Sequence, residues 1–173
     1  MDKELHRIAS TCIIYKNDPF FAKGFSEAKK YLLLQRSFEK KAFPGKWTVP
    51  GGGLETDDYI NTAKTTADHW YFAVENSLRR EIKEEVNLEV EKIKYLLDIT
   101  FIRPDGTPVV ILSFYCHYKS GEVRLDKDSV DYKWVTCEEA KNYDLVEGLL
   151  KEIEMADKIL KGANEDNVEY RAK

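Results

Sequence analysis

The stretch Leu78-Arg79-Arg80-Glu81-Ile82-Lys83-Glu84-Glu85-Val86-Asn87-Leu88 decides how this chain is read, together with Pro50-Gly51-Gly52-Gly53 upstream of it. The spacing predicts a helix with Glu81, Glu84 and Glu85 on one side. Leu78, Ile82 and Val86 make an apolar stripe beside them. Glu84 and Glu85 fall in the last turn, where the helix dipole disfavours anions, and like charges so spaced repel by roughly a few tenths of a kcal/mol per pair. Local stability would not choose this arrangement. A bound divalent cation repays it, and hard carboxylate oxygens suit Mg²⁺ or Mn²⁺. Alone, such a charge run is more often a solvated face with Arg79, Arg80 and Lys83 as partners. The glycines alter that reading, because they let backbone N–H groups come close to a phosphate.

Composition narrows the class. A chain of 173 residues suits one domain with a real core, and 43% hydrophobic with 34% charged residues is a globular balance. No apolar run reaches membrane-spanning length, and Met1-Asp2-Lys3-Glu4-Leu5-His6-Arg7 lacks the apolar centre of a signal peptide. The expectation is a cytoplasmic protein with no membrane partner. The net charge of −4 and the absence of a long Lys/Arg cluster argue against a nucleic acid duplex as partner. A small anionic ligand remains compatible, given local neutralisation by metal and arginines. Cys12, Cys116 and Cys137 show no CxxC pair or zinc spacing and read as free thiols.

Along the chain, Ala9–Tyr15 and Tyr31–Arg36 read as strands, the second buried on both faces. Residues 16–30 read as a loop or hairpin, residues 43–46 as a turn, and Trp47–Val49 as a short strand entering the glycine loop. Between Glu55 and Glu85 there is no Pro or Gly. That segment is one long helix or two with a break, starting near Asp58 with Thr56 or Asp57 as cap. Asn87 tolerates the left-handed conformation common just past a helix end. Leu88–Ile93, Tyr95–Ile102 and Val109–Tyr118 follow as strands, the last two joined at Pro104-Asp105-Gly106. Tyr132–Thr136 reads as a strand, and Cys137–Tyr143 and Leu145–Leu160 read as helices. A polar tail runs from about 162 to 173. The whole is expected to be a single mixed α/β domain, residues 1–173.

Gly52, Asp58 and Arg80-Glu81-Ile82-x-Glu84-Glu85-x-Asn87-Leu88 resemble the Nudix box, Gly-x5-Glu-x7-Arg-Glu-U-x-Glu-Glu-x-Gly-U with U apolar. Gln35-Arg36, Gly45-Lys46-Trp47, Pro50-Gly51-Gly52 and Trp134-Val135 follow in the family's order, so the resemblance covers roughly residues 8–160. Asp58 stands where the family has Glu, and Asn87 where it has Gly. Twenty-one residues, 59–79, separate Asp58 from Arg80 where the family has seven. The insert spans about 59–74 and carries Tyr59, Trp70, Tyr71 and Phe72. It is either an extra helix packed on the core or on a dimer partner, or a lid over substrate.

The resemblance implies the Nudix α/β/α sandwich, a mixed sheet between helices. It implies metal-dependent hydrolysis of a nucleoside diphosphate linked to X, whether an NTP, ADP-ribose, an ADP-sugar or similar. Glu81, Glu84, Glu85 and Asp58 are then the candidate metal ligands for Mg²⁺ or Mn²⁺, and Arg80 orients carboxylates. Glu85 or Asp128 is the candidate general base, with Asp126 and Asp131 near Asp128. Gly51, Gly52, Gly53, Arg36, Arg103 and Tyr143 are candidate substrate contacts, Tyr143 through stacking. Homodimers are common in the family, and the insert offers apolar surface for one. The alternative is a non-catalytic nucleotide-binding or sensor protein on the same fold.

Overall fold

A computed structural model describes residues 5–18, 28–165 and 168–170. The strands are β1 (Arg7–Asn17), β2 (Lys29–Arg36), β3 (Trp47–Thr48), β4 (Gly51–Gly53), β5 (Glu89–Val90), β6 (Lys94–Ile102), β7 (Pro108–Ser120) and β8 (Ser129–Val135). The helices are α1 (Asp57–Ile60), α2 (Ala73–Val86), α3 (Cys137–Ala140) and α4 (Leu149–Leu160). The strands join in one mixed sheet, in which β1 and β7 run parallel from Arg7↔Val109 to Tyr15↔His117. The other pairings are antiparallel.

Period-two alternation sorts the apolar residues into two cores. Cys12, Ile14, Leu32, Leu34 and Cys116 face α2 and bury Leu78, Ile82 and Val86. Ile13, Tyr31, Leu33, Tyr115 and Val135 face the other way, against Leu149, Ile153 and Ala156 of α4. The run Tyr31-Leu32-Leu33-Leu34 is therefore buried on both faces. This is the α/β/α sandwich, with α2 and α4 as its outer layers.

Strand β1 changes partner midway. Ala9, Ser10 and Thr11 pair with the glycines of β4, and Tyr15, Lys16 and Asn17 pair with β2. At the divide the Cys12 N–H donates to the Pro50 carbonyl at 2.9 Å. The candidate site lies at this split.

Several segments depart from the sequence expectation. Gly51–Gly53 is a strand rather than a loop, because β1 offers it a free edge. The 57–86 segment is two helices, and residues 61–72 between them carry none. Thr56 precedes α1 without a side-chain cap bond. Leu88–Ile93 holds pairing only at Glu89–Val90. The helix expected from Leu145 starts at Leu149, after Gly148 at φ 87°. Trp47 accounts for the delay: its N–H donates to Asp144 O and its carbonyl accepts from the Val146 N–H, both at 2.9 Å, so this stretch lies along β3. Helix α3 ends at Ala140 rather than Tyr143. Asn87 takes the left-handed conformation, φ 56°. Of the 16–30 loop, residues 19–27 lie outside the described residues, as do 166–167 and 171–173 of the tail. The described tail is tied down where the Tyr115 hydroxyl donates to Glu165 at 3.0 Å.

Glu152 of α4 is buried, 5% exposed, and accepts a 2.6 Å hydrogen bond from the Ser113 hydroxyl. Burial holds its carboxyl above the ordinary value of 4.5, the Ser113 bond opposing this. A raised native value means the folded chain keeps the proton longer, so stability present below about 4.5 is lost as pH rises through the native value. Glu152→Gln cannot ionise. Its melting temperature relative to wild type is expected to rise between about pH 4 and about pH 8. Thermal denaturation at both pH values checks this, and a difference independent of pH refutes it.

Candidate functional site

The glycines of β4 have separate steric reasons. A methyl group on Gly51 would stand 2.2 Å from the Ser10 carbonyl oxygen and 2.7 Å from the Thr11 Cα, so only glycine lets β4 lie this close to β1. A methyl group on Gly52 would stand 2.3 Å from the carboxyl carbon of Glu81, which occupies that space. The Gly51 N–H donates to Glu85 Oε2 at 2.9 Å. Helix α2 thus lays two carboxylates against the glycine strand, because residues four apart share a helix side.

Arg80 is the hub of the acidic cluster. Its Nε and Nη2 donate to the two oxygens of Asp58, and Nη1 lies 3.0 Å from Glu81 and 2.9 Å from Glu84. Asp58, whose side chain is 4% exposed, also accepts from the Glu55 N–H at 2.8 Å. The Arg80 hydrogen bond holds its carboxyl down to about 2, against the opposing pull of burial. The 21 residues 59–79 therefore do not carry Asp58 away from the helix: the intervening chain loops out and returns. Ser77, buried in α2, sits between Asp58 and the glycine strand, its hydroxyl 3.4 Å from Gly53 O. Sequence reading missed Ser77; its one signal is a small polar residue four positions before Glu81.

Glu85 is pushed up to about 7 by burial, opposed by the Gly51 N–H and reinforced by the charges of Glu81 and Asp126. The segment after β7 crosses the end of α2, with the Arg124 and Asp126 N–H groups donating to Val86 O and Glu85 O at 3.2 Å. Asp128 lies farther along the segment. Lys40 holds it at 2.6 Å and keeps its carboxyl below the ordinary range, and its backbone carbonyl accepts from the Ser37 N–H. Asp126 is thus the loop acid whose charge Glu85 feels. Asp131 pairs with Lys133. Arg36 carries positive charge toward Glu85 and Asp128, and its Nε donates to Ala42 O at 2.9 Å.

The other candidates lie elsewhere. Arg103 pairs with Asp105 at the tip of the β6–β7 hairpin, 2.9 Å apart. Tyr143 meets Trp47 edge-on, centroids 4.9 Å apart, and lines a cavity of about 520 Å³ with Leu145, Gly148 and Tyr170. Residues 61–72 form no helix, yet they are held by contacts of their own. Trp70 packs on Tyr59 and donates to Thr62 O at 3.1 Å, and Lys64 lies over its ring. Tyr71 and Phe72 stay exposed, and Phe72, 72% exposed, has a left-handed backbone at φ 61°.

Glu81, Glu84, Glu85 and Asp126 are the oxygen donors a hard divalent cation takes. Among the described residues no three Asp, Glu, His or Cys side chains already converge on one point. The donor chemistry fits such an ion: excess negative charge is gathered at a helix C-terminus where a cation is the natural counter-charge.

A family profile described as the NUDIX domain matches residues 22–154. Relatives called nucleoside triphosphatase NudI, from Klebsiella pneumoniae (strain 342) and Escherichia coli (strain K12 / DH10B), are each 31% identical over 125 residues. Each match covers 66% of this chain and 79% of the relative. The fold matches the NUDIX domain of Shewanella oneidensis NrtR, complexed with ADP ribose, with TM-score 0.68 and 17% identity over 91% of this chain and 90% of that one. It also matches a C. elegans Ap4A hydrolase, with TM-score 0.62 and 19% identity over 91% and 99%.

The steric analysis separates two neighbouring glycines. Gly51→Ala meets backbone and is expected to destabilise the fold by about 1–3 kcal/mol, as overpacking does. Gly52→Ala meets the movable end of Glu81, so its melting temperature stays near wild type while turnover falls at least about tenfold, a loss of roughly 1.4 kcal/mol. Denaturation curves and turnover of the two variants check the contrast.

Proposed function

The chain belongs to the Nudix family and is a nucleotide pyrophosphohydrolase of it, and from that premise we propose a cation-dependent enzyme that cleaves nucleoside triphosphates to a monophosphate and pyrophosphate. The observation that carries this reading is the pairing of Glu81 and Glu85 with Gly52 and Gly51, which lays two carboxylates directly against the glycine strand. The choice of a triphosphate rests on the relatives at 31% identity.

Glu81, Glu84 and Glu85 would hold Mg²⁺ or Mn²⁺ with Asp126 as the loop acid, and the ion, when bound, neutralises the diphosphate and polarises phosphorus. Asp58 acts through Arg80: it anchors the guanidinium that keeps Glu81 and Glu84 in line. Glu85, steadied by the Gly51 N–H, orients the attacking water and takes its proton. Water adds to phosphorus as the bond to the bridging oxygen breaks, and that oxygen leaves with the pyrophosphate. Arg36 offsets charge on the phosphates from the β2 side. Positioning and charge stabilisation are most of what phosphoryl transfer requires.

A panel of NTPs, ADP-ribose, NADH and dinucleoside polyphosphates, assayed with Mg²⁺ and Mn²⁺, is the test. Turnover is expected to be highest on a triphosphate and lost with chelator. Glu85→Gln is expected to lower kcat by about 10²–10⁴, and Asp126→Asn to cost more than Asp128→Asn. Ligand binding without turnover on any substrate would favour a sensor instead. Equal losses at Asp126 and Asp128 would remove the distinction between them.

A further inference from the structure

Each glycine of β4 leaves room for a different neighbour, and the third neighbour is a cation with no role in the carboxylate site. A methyl group on Gly53 would stand 2.5 Å from Nη2 of Arg7 and 3.1 Å from its Cζ. Arg7 is the first residue of β1, two positions before Ala9, the partner of Gly53. By alternation it shares a face with Ala9, Thr11 and Ile13, and Ile13 belongs to the α4-side core. Glu81 fills Gly52 from the α2 side. The guanidinium and the carboxylates therefore sit on opposite faces of one short strand.

Arg7 is exposed, and among the described residues it has no ion pair and no hydrogen bond. The chain's other cation at this strand, Arg80, is fully engaged by Asp58, Glu81 and Glu84. Among the described residues, Arg7 keeps its donors uncommitted while resting against Gly53 of the glycine strand. A guanidinium offers a planar fork that matches phosphate oxygens, and it cannot lose its charge at neutral pH.

We infer that Arg7 binds a phosphate of the substrate other than the one attacked, gripping it from the face of β4 opposite the carboxylates. This rests on reading β4 as the strand along which the polyphosphate lies. It makes Arg7 a specificity residue: substrates with a second phosphate in reach gain a charge-assisted contact, and those without it do not. It also gives Gly53 a purpose, since any side chain there would displace the guanidinium.

The test compares wild type with Arg7→Gln and Arg7→Lys. Inorganic pyrophosphate with Mg²⁺ is titrated calorimetrically, so that the result does not depend on turnover. Affinity is expected to fall about 10- to 100-fold in Arg7→Gln, as loss of a charge-assisted contact implies, and less in Arg7→Lys. Thermal unfolding should be unchanged, since the side chain is exposed. Equal affinity in wild type and Arg7→Gln, including no binding by either, overturns the assignment. Where a triphosphate is turned over, KM should rise in Arg7→Gln with kcat within about twofold of wild type, as for loss of an interaction made equally in ground and transition states. A fall in kcat at constant KM also overturns it. If wild type binds pyrophosphate through Arg7 but hydrolyses nothing in the panel, the proposed reaction fails and the Arg7 assignment stands.

Discussion

The approach of β4 to β1 is the constraint on which the rest of the structure depends. Gly51 lies so close to Ser10 and Thr11 that no side chain fits between them. That closeness lets β1 pair with β4 over its first half and turn to β2 over its second. The gap between the two partners is where Pro50, Gly51 and the end of α2 meet. Helix α2 reaches it because Leu78, Ile82 and Val86 seat the helix on the sheet, which leaves the neighbouring positions 81 and 85 to face the glycines.

Charge is distributed around this junction unevenly. One guanidinium, Arg80, is shared among Asp58, Glu81 and Glu84, while Glu85 takes the Gly51 N–H and feels the more distant charge of Arg36. Glu84 is more than half exposed, so its ion pair adds little, typically under about 1 kcal/mol. Asp58 is different. It is nearly sealed from solvent, and its hold on Arg80 is the contact that joins the start of the box to the helix. The end of α2 is left with an anionic surplus that folding alone does not relieve.

What could be read in the sequence was what local periodicity determines. The acidic side of α2, its apolar stripe, the doubly buried Tyr31–Leu34 run and the left-handed Asn87 all follow from residues a few positions apart. What could not be read depends on partners distant in the chain. The strand character of Gly51–Gly53 needs β1, and the late start of α4 needs Trp47 to capture residues 144–146. That Asp126 is the loop acid whose charge Glu85 feels depends on how one loop crosses the helix end and on Lys40 holding Asp128. Asp58 is the clearest instance. Its spacing from Arg80 suggests displacement, yet the two side chains meet across 22 positions.

That meeting makes the fold indifferent to how much chain runs between the two residues. Once Asp58 and Arg80 close the base of the excursion, the residues between them no longer transmit their length to the site. Loop-closure entropy grows only logarithmically, by about 0.6 kcal/mol for each doubling of length. The fold tolerates extra chain here at a cost smaller than one lost core methyl group, roughly 1 kcal/mol. The length of the excursion is accordingly uncoupled from the carboxylate cluster, which Asp58 and Arg80 hold in place whatever the chain between them does.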